Sequence, residues 1–133
     1  MPAVYKIAMA GACGVAAGVL AMGLLHGQAA PAPPPAYLIS NAESVTDSAM
    51  LAQYGAAVGK TLAAFGGHMI VRGAVPVGLD ASTLPKGVFV VVQFSSMKAL
   101  QDWWHSPAYS AIRPLREKSV VGRLFALEGA ASP

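Results

Sequence analysis

The sequence predicts one small α+β domain behind an N-terminal leader, and three observations support this fold class. The length of 133 residues allows one domain rather than two. Hydrophobic residues make up 55% of the chain, and their densest run, residues 7–25, contains no charged residue. From Ala36 onward, short segments rich in β-forming residues alternate with segments whose apolar residues recur every three or four positions. Such alternation indicates strands and helices within one domain.

Residues 1–29 are predicted to form a cleavable signal peptide. Lys6 precedes an apolar run rich in Ala and Gly, and the small residues Gly27 and Ala29 fit the two positions that a signal peptidase reads. Cleavage after Ala29 would deliver a periplasmic or secreted protein with no stable membrane association. The alternative is a retained N-terminal membrane anchor, because the run is close to the roughly 20 apolar residues that span a bilayer.

Cleavage would also remove Lys6 and the single cysteine, Cys13. The nine Lys and Arg residues of the whole chain then fall to eight, against six Asp and Glu. So small a basic excess predicts no nucleic-acid partner. Without cysteine no disulfide can stabilise the exported domain, and burial of a further face in a homodimer would help it.

A proline-rich linker is predicted at residues 30–35, since its four prolines fix φ and favour an extended polyproline helix. The folded domain is predicted to cover residues 36–129. A short C-terminal tail, residues 130–133, follows it.

The first half of the domain is predicted to be strand, helix, strand. Tyr37–Ser40 forms a short strand, and Asp47 offers carboxylate oxygens that cap the following helix. Apolar residues recur along that helix at spacings of three or four, and Gly66–Gly67 ends it because glycine adopts the left-handed conformation at low cost. Residues 68–72 then form the second strand.

The third strand, residues 87–94, follows a loop marked by proline and glycine. It is rich in β-branched and aromatic residues and apolar on both faces, so both faces are predicted to be covered. Helices cover one face, and a sheet from a second subunit can cover the other.

Ser95–Ser96 are predicted to cap a second helix, which carries its apolar residues Met97, Leu100 and Trp104 on one side. Ser106–Pro107 start a further helical segment, since proline is tolerated at the first helical position.

Pro114 is expected to kink or break this last helical segment, and residues 120–127 form the final strand. The predicted order is therefore βαββαβ. This is the ferredoxin-like arrangement, an antiparallel sheet with helices on one face.

Short motifs in a fixed order give the domain a family resemblance. They are Ala36-Tyr-Leu-Ile39, Val45-Thr-Asp47, Gln53-Tyr54, Gly66-Gly67, Val71-Arg-Gly73, Phe94-Ser-Ser96, Ser106-Pro-Ala-Tyr109 and Glu128-Gly129. In this order the chain resembles domain-of-unknown-function family 1330. The resemblance implies a dimeric α+β barrel, in which two ferredoxin-like subunits pair sheet against sheet as a homodimer. It also implies a pocket between each subunit's sheet and helices, but no established reaction.

Arg72 and Asp47 are predicted ligand contacts with structural alternatives. Arg72 can hold a ligand carboxylate bidentately, or it can pair with Glu128 or Asp102. Asp47 can contact a ligand, or it can serve only as the helix cap.

Tyr54, Trp104 and Tyr109 are predicted to wall a ligand pocket; the alternative is core packing, which is usual for aromatic residues at helical spacing. His68 is the candidate catalytic residue, because a histidine can exchange a proton near neutral pH. Strict alternation of the second strand would place it on one face with Arg72.

The sequence predicts no metal site and no cofactor, since the two histidines of the mature chain, His68 and His105, lack a ligand-like spacing and cysteine is absent from it. A small basic cluster is predicted to be a solvated helix end rather than a binding surface, and it comprises Arg113, Arg116, Lys118 and Arg123.

Three functional hypotheses follow. The first is a protein that binds or transforms a small anionic or aromatic molecule, and it predicts a partly apolar pocket with convergent polar groups. The second is a non-catalytic structural or stress-related dimer, which predicts that the aromatic residues are buried in packing. The third is a haem-linked protein, suggested by fold analogy alone, and it predicts a histidine that faces an open pocket.

Overall fold

The computed structural model describes Gly27 and residues 29–133. The predicted signal peptide lies outside these residues except for Gly27 and Ala29, and so does Cys13. Among the described residues, none of the helices combines the length and the apolar character that crossing a membrane requires.

Four strands and three helices make up the domain. They are β1 (Ala36–Val45), α1 (Ser48–Ala63), β2 (His68–Ala74), β3 (Val88–Phe94), α2 (Met97–Trp104), α3 (Pro107–Ser119) and β4 (Val120–Glu128). The predicted order is confirmed, with the second helical region divided into α2 and α3. Pro114 lies inside α3, so of the two expected outcomes, a kink or a break, the break is wrong. Proline has no backbone N–H, so the Ser110 carbonyl lacks the hydrogen bond that residue 114 would otherwise donate. Both residues are exposed, and water can donate to this carbonyl instead.

The strands form one antiparallel sheet in the order β2-β3-β1-β4, with the helices on one face. This is the predicted ferredoxin-like fold. The first and last strands pair along their length, from Ala36 opposite Glu128 to Val45 opposite Val120. The amide of Gly129 extends the pairing by donating to the Pro35 carbonyl at 2.7 Å.

Side-chain caps fix where each helix begins. Asp47 Oδ1 accepts from the Met50 amide at 2.9 Å, which confirms the predicted cap of α1. Ser96 and Ser106 accept in the same way from amides three residues later and start α2 and α3. After α1, Gly66 turns the chain with φ of +70°, a conformation that favours glycine.

Two glycines, Gly87 and Gly122, allow the backbone of β1 to lie very close to the neighbouring chain. A Cβ atom on Gly87 would lie 1.9 Å from the Ala42 carbonyl oxygen, and one on Gly122 would lie 1.9 Å from the Asn41 carbonyl oxygen. Gly87 also has φ of +82°. The buried Asn41 side chain donates to the Lys86 carbonyl at 2.9 Å and fixes the start of β3 against β1.

Trp103, rather than Trp104, is the core tryptophan of α2. Trp103 is fully buried and stacks against Tyr109 at 3.9 Å between ring centroids, whereas Trp104 is half-buried. The predicted apolar side of α2 was therefore wrong at this residue. The inward line of this short helix runs from Leu100 to Trp103, three positions apart, and spacing alone does not distinguish two adjacent tryptophans.

Candidate functional site

A pocket of about 330 Å³ lies between the helix-facing side of the sheet and helices α1 and α3. We call it the main pocket. Most of its lining is apolar, and the strands contribute much of it, from Leu38 in β1 and Val92 in β3 to Leu124 in β4. Its volume is at the lower end of the range for small-molecule sites, which also tend to be largely apolar.

Four polar side chains line this pocket, and each comes from a different element: Ser40 of β1, Tyr54 of α1, Arg72 of β2 and Arg116 of α3. None of the described lining residues is acidic. The two guanidinium groups therefore give the pocket a positive character, which suits a ligand with an anionic group.

Tyr54 presents a neutral hydroxyl in the main pocket. Its oxygen lies 3.5 Å from the hydroxyl oxygen of the fully buried Tyr109. Burial, and secondarily the neighbouring Tyr109, raises the pKa of Tyr54 well above its usual value, while Arg116 opposes the rise. The phenol therefore keeps its proton at physiological pH and can donate it in a hydrogen bond.

An irregularity in β2 brings Arg72 into the main pocket. Met69 pairs with Val92 and Val71 pairs with Val91, so one extra residue lies between them in β2. The predicted strict alternation of His68 and Arg72 is therefore wrong, and Met69 and Arg72, three positions apart, both line the pocket.

Neither predicted structural partner holds Arg72. Asp102 pairs with Lys98 at 2.6 Å, and no salt bridge joins Arg72 to Glu128 or to any other part of the chain that the structure describes. The Arg72 side chain is exposed at the pocket, where it can meet a ligand.

The basic cluster is not a uniformly solvated helix end. The Arg113 guanidinium carbon lies 4.0 Å from the centroid of the Trp104 ring, and this side chain also donates to the Trp104 carbonyl. Arg116 lines the main pocket, and Arg123 pairs with Glu43 at 3.5 Å. The prediction of a solvated cluster is therefore wrong for Arg113 and Arg116.

The remaining predicted site residues are dispersed. Trp104 lines a second pocket of about 260 Å³ between α2 and β4. His68 is exposed and lines a third pocket of about 300 Å³ beside α1 and β2, which Arg72 also lines. Tyr109 contacts Tyr54 behind the main pocket, and Asp47 caps α1 away from it. The main pocket thus brings together Tyr54 and Arg72, and the pocket beside α1 and β2 brings Arg72 together with His68.

Ser40 and Arg116 are the polar lining residues that the sequence interpretation missed, and Arg116 is the charged one. The position of Arg116 gave a usable signal, because it lies seven residues after Tyr109 and four after Ile112 on the inward side of α3. A basic residue on an inward stripe points to a charged pocket rather than to a solvated face.

A histidine-ligated haem does not fit the main pocket. Its lining residues include neither of the histidines of the folded domain, because His105 lines the second pocket and His68 lines the pocket beside α1 and β2. Within the described part of the chain, no three His, Cys, Asp or Glu side chains lie close enough together to hold a metal ion.

Comparison with known proteins identifies relatives by sequence and by fold. The family described as Domain of unknown function (DUF1330) matches residues 35–130. The structure is similar to a protein of unknown function from Rhodopseudomonas palustris, with a TM-score of 0.57 and 16% identity, covering 79% of this chain and 89% of that chain. It is also similar to the hydroxynitrile lyase of Passiflora edulis, with a TM-score of 0.53 and 12% identity over 77% of this chain and 98% of that one. At these identities both likenesses show the fold alone. No curated protein sequence matches the chain.

Proposed function

The chain belongs to the DUF1330 family, and from that premise we propose that it is an exported homodimer that binds a small organic anion in the main pocket. One observation carries the proposal. Arg72, Arg116 and the neutral Tyr54 hydroxyl line one apolar pocket of about 330 Å³, and no acidic side chain lines it among the described residues. The ligand class that suits these groups is a carboxylate with an apolar or aromatic body.

The donor set favours carboxylates over other polar ligands. Arginine carries only hydrogen-bond donors, and a tyrosine hydroxyl that keeps its proton can donate as well. A carboxylate accepts from both, whereas the ammonium group of an amine would be repelled by the two arginines. Charge-assisted hydrogen bonds are about twice as strong as neutral ones, so this discrimination should be measurable.

Binding is tested by calorimetry with carboxylates and their matched amides, such as hexanoate with hexanamide and benzoate with benzamide. We expect the acids to bind more tightly than the amides. Arg116→Met should remove most of that difference, while Lys118→Met, which removes a positive charge two residues later on α3, should preserve it. If no acid binds, the proposal is wrong, and the alternative of a non-catalytic structural dimer gains weight from the full burial of Trp103 and Tyr109.

The homodimer is supported by the sheet face opposite the helices. Val71, Val91, Ile39 and Phe125 form one row across all four strands, because each is paired with the next in the sheet register. Phe125 remains 45% exposed and the nearby Leu127 53% exposed. A second copy of the chain offers the same apolar face and can cover this row, as in a dimeric α+β barrel.

Light scattering after size-exclusion chromatography tests the dimer. We expect the wild-type chain to have a dimer mass and Phe125→Arg to shift it toward the monomer. Leu79→Arg is the matched control, because Leu79 is 97% exposed in the loop between β2 and β3. A monomeric wild type, or a Phe125→Arg variant that stays dimeric, would refute this part of the proposal.

Export is supported by the charge-free apolar run and the small residues before Pro31. Intact mass measurement on protein recovered from a bacterial periplasm tests it. A chain that begins at Ala30 supports a cleaved leader, whereas a full-length chain in the membrane fraction supports the N-terminal anchor instead.

A further inference from the structure

Two pockets of the domain share part of their walls. The main pocket and the second pocket, of about 330 and 260 Å³, are both lined by Leu38 of β1 and Leu124 of β4. In the sheet register, Leu38 lies opposite Ala126 and Ser40 lies opposite Leu124. The two leucines are therefore diagonal neighbours on the helix-facing side of the sheet, close enough for their side chains to meet.

We infer that the two pockets are halves of one elongated binding space, and that Leu38 and Leu124 form a partition that sets the length of the ligand's tail. This inference rests on the proposed function. Of these two pockets, only the main pocket is lined by the polar groups for an anionic head, Arg72 and Arg116, whereas Met97, Leu100 and Trp104 give the second pocket a largely apolar wall. The arrangement suits a monocarboxylate with a linear apolar tail that ends at the partition.

Leu124 is the member of the partition that can be changed with less disturbance. Leu38 is only 7% exposed and belongs to a central strand, whereas Leu124 is half-buried on the edge strand β4. Truncation of a leucine in apolar surroundings leaves a cavity that stays dry and accepts apolar ligands. Leu124→Ala should therefore join the two pockets.

The test measures dissociation constants of the full-chain protein for straight-chain carboxylates from butanoate to dodecanoate. In the wild type, affinity should rise about fourfold per added methylene, as burial of apolar surface predicts, until the tail reaches the partition. We call that chain length the length limit. Leu124→Ala should move the limit to longer acids, and Leu124→Phe should move it to shorter ones.

Leu127→Ala is the matched control, because it removes a leucine from the opposite face of the same strand and should leave the length limit unchanged. Circular dichroism and thermal melting establish that each variant is folded. If Leu124→Ala does not fold, Leu124→Phe decides the question. A wild type that binds short acids, combined with an unchanged limit in a folded Leu124 variant, overturns this inference and leaves the proposed function intact. A wild type that binds no carboxylate overturns the proposed function itself.

Discussion

The indole nitrogen of Trp103 donates a hydrogen bond to the hydroxyl oxygen of Thr61 at 3.0 Å, across 42 residues of sequence. Both side chains are buried, and the Thr61 hydroxyl donates in turn to the Val58 carbonyl at 2.8 Å. The Thr61 hydroxyl therefore accepts a hydrogen bond from the indole N–H and donates its own proton to a carbonyl, so that both buried polar groups have partners. This bond ties α2 to α1 behind the main pocket.

Thr61→Val should destabilise the protein by about 1–3 kcal/mol, because the nearly isosteric change leaves a buried indole N–H without an acceptor. Thr61→Ser keeps the hydroxyl and should cost less, although it removes a methyl group. Urea unfolding followed by far-ultraviolet circular dichroism measures both. A Thr61→Val variant as stable as the wild type, beside a destabilised Thr61→Ser variant, would mean that the methyl group, and not the hydrogen bond, matters at this position.

The two adjacent tryptophans should differ in their contribution to stability. Trp103→Ala empties a fully buried site and should cost about 3–5 kcal/mol. Trp104→Ala removes a half-buried ring and its contact with Arg113, and about 1–2 kcal/mol is expected. Chemical denaturation of the two variants side by side gives the comparison. A larger loss for Trp104 would contradict the assignment of Trp103 to the core.

Gly87→Ala and Gly122→Ala should each destabilise the domain by at least about 2 kcal/mol, because the added Cβ meets a β1 carbonyl oxygen at 1.9 Å. Gly59→Ala is the control within helix α1. Its added Cβ meets no atom within 4 Å, and the change should stabilise the protein by about 0.5–1 kcal/mol. Thermal melting distinguishes the two classes by the sign of the change, and tolerated substitutions at Gly87 and Gly122 would refute the close approach to β1.

Tyr54 should make the protein lose stability in alkaline solution. Burial raises the pKa of this phenol in the folded state above its usual value of about 10, so the unfolded chain releases its proton first as the pH rises. The stabilising contribution is complete below about pH 10 and decreases above it, by at most about 1.4 kcal/mol per pH unit.

Tyr54→Phe removes this proton release, and its unfolding free energy should decline less steeply than that of the wild type above about pH 10. Urea titrations at several alkaline pH values measure the two slopes. Parallel slopes would show that Tyr54 ionises as readily in the folded chain as in the unfolded one.

Local chemistry made much of the fold predictable. The Asp47 carboxylate and the Ser96 and Ser106 hydroxyls indicated where helices begin, and each accepts the expected amide hydrogen bond. Gly66 indicated where α1 ends, since its φ of +70° is costly for most other residues. These signals act within a few residues, and sequence alone is sufficient to identify them.

The site was less predictable because it depends on contacts between distant segments. The extra residue between Met69 and Val71 changes which β2 side chains reach the pocket, and only the pairing with β3 reveals it. Which of the two adjacent tryptophans is buried depends in part on Thr61. Its hydroxyl accepts a hydrogen bond from the Trp103 indole, although the two residues are 42 positions apart in the sequence. Arg116 was identifiable on the inward stripe of α3, but its role required the opposing elements β2 and α1.

The pairing of β1 with β4 has a consequence for biogenesis. Ala36 emerges from the ribosome among the first residues of the domain and Glu128 among the last, yet the two are paired in the sheet. Contacts of such high sequence separation form slowly, and β1 lacks one of its neighbours until β4 has been synthesised. A nascent chain of this protein therefore cannot complete its native sheet before β4 has left the ribosome.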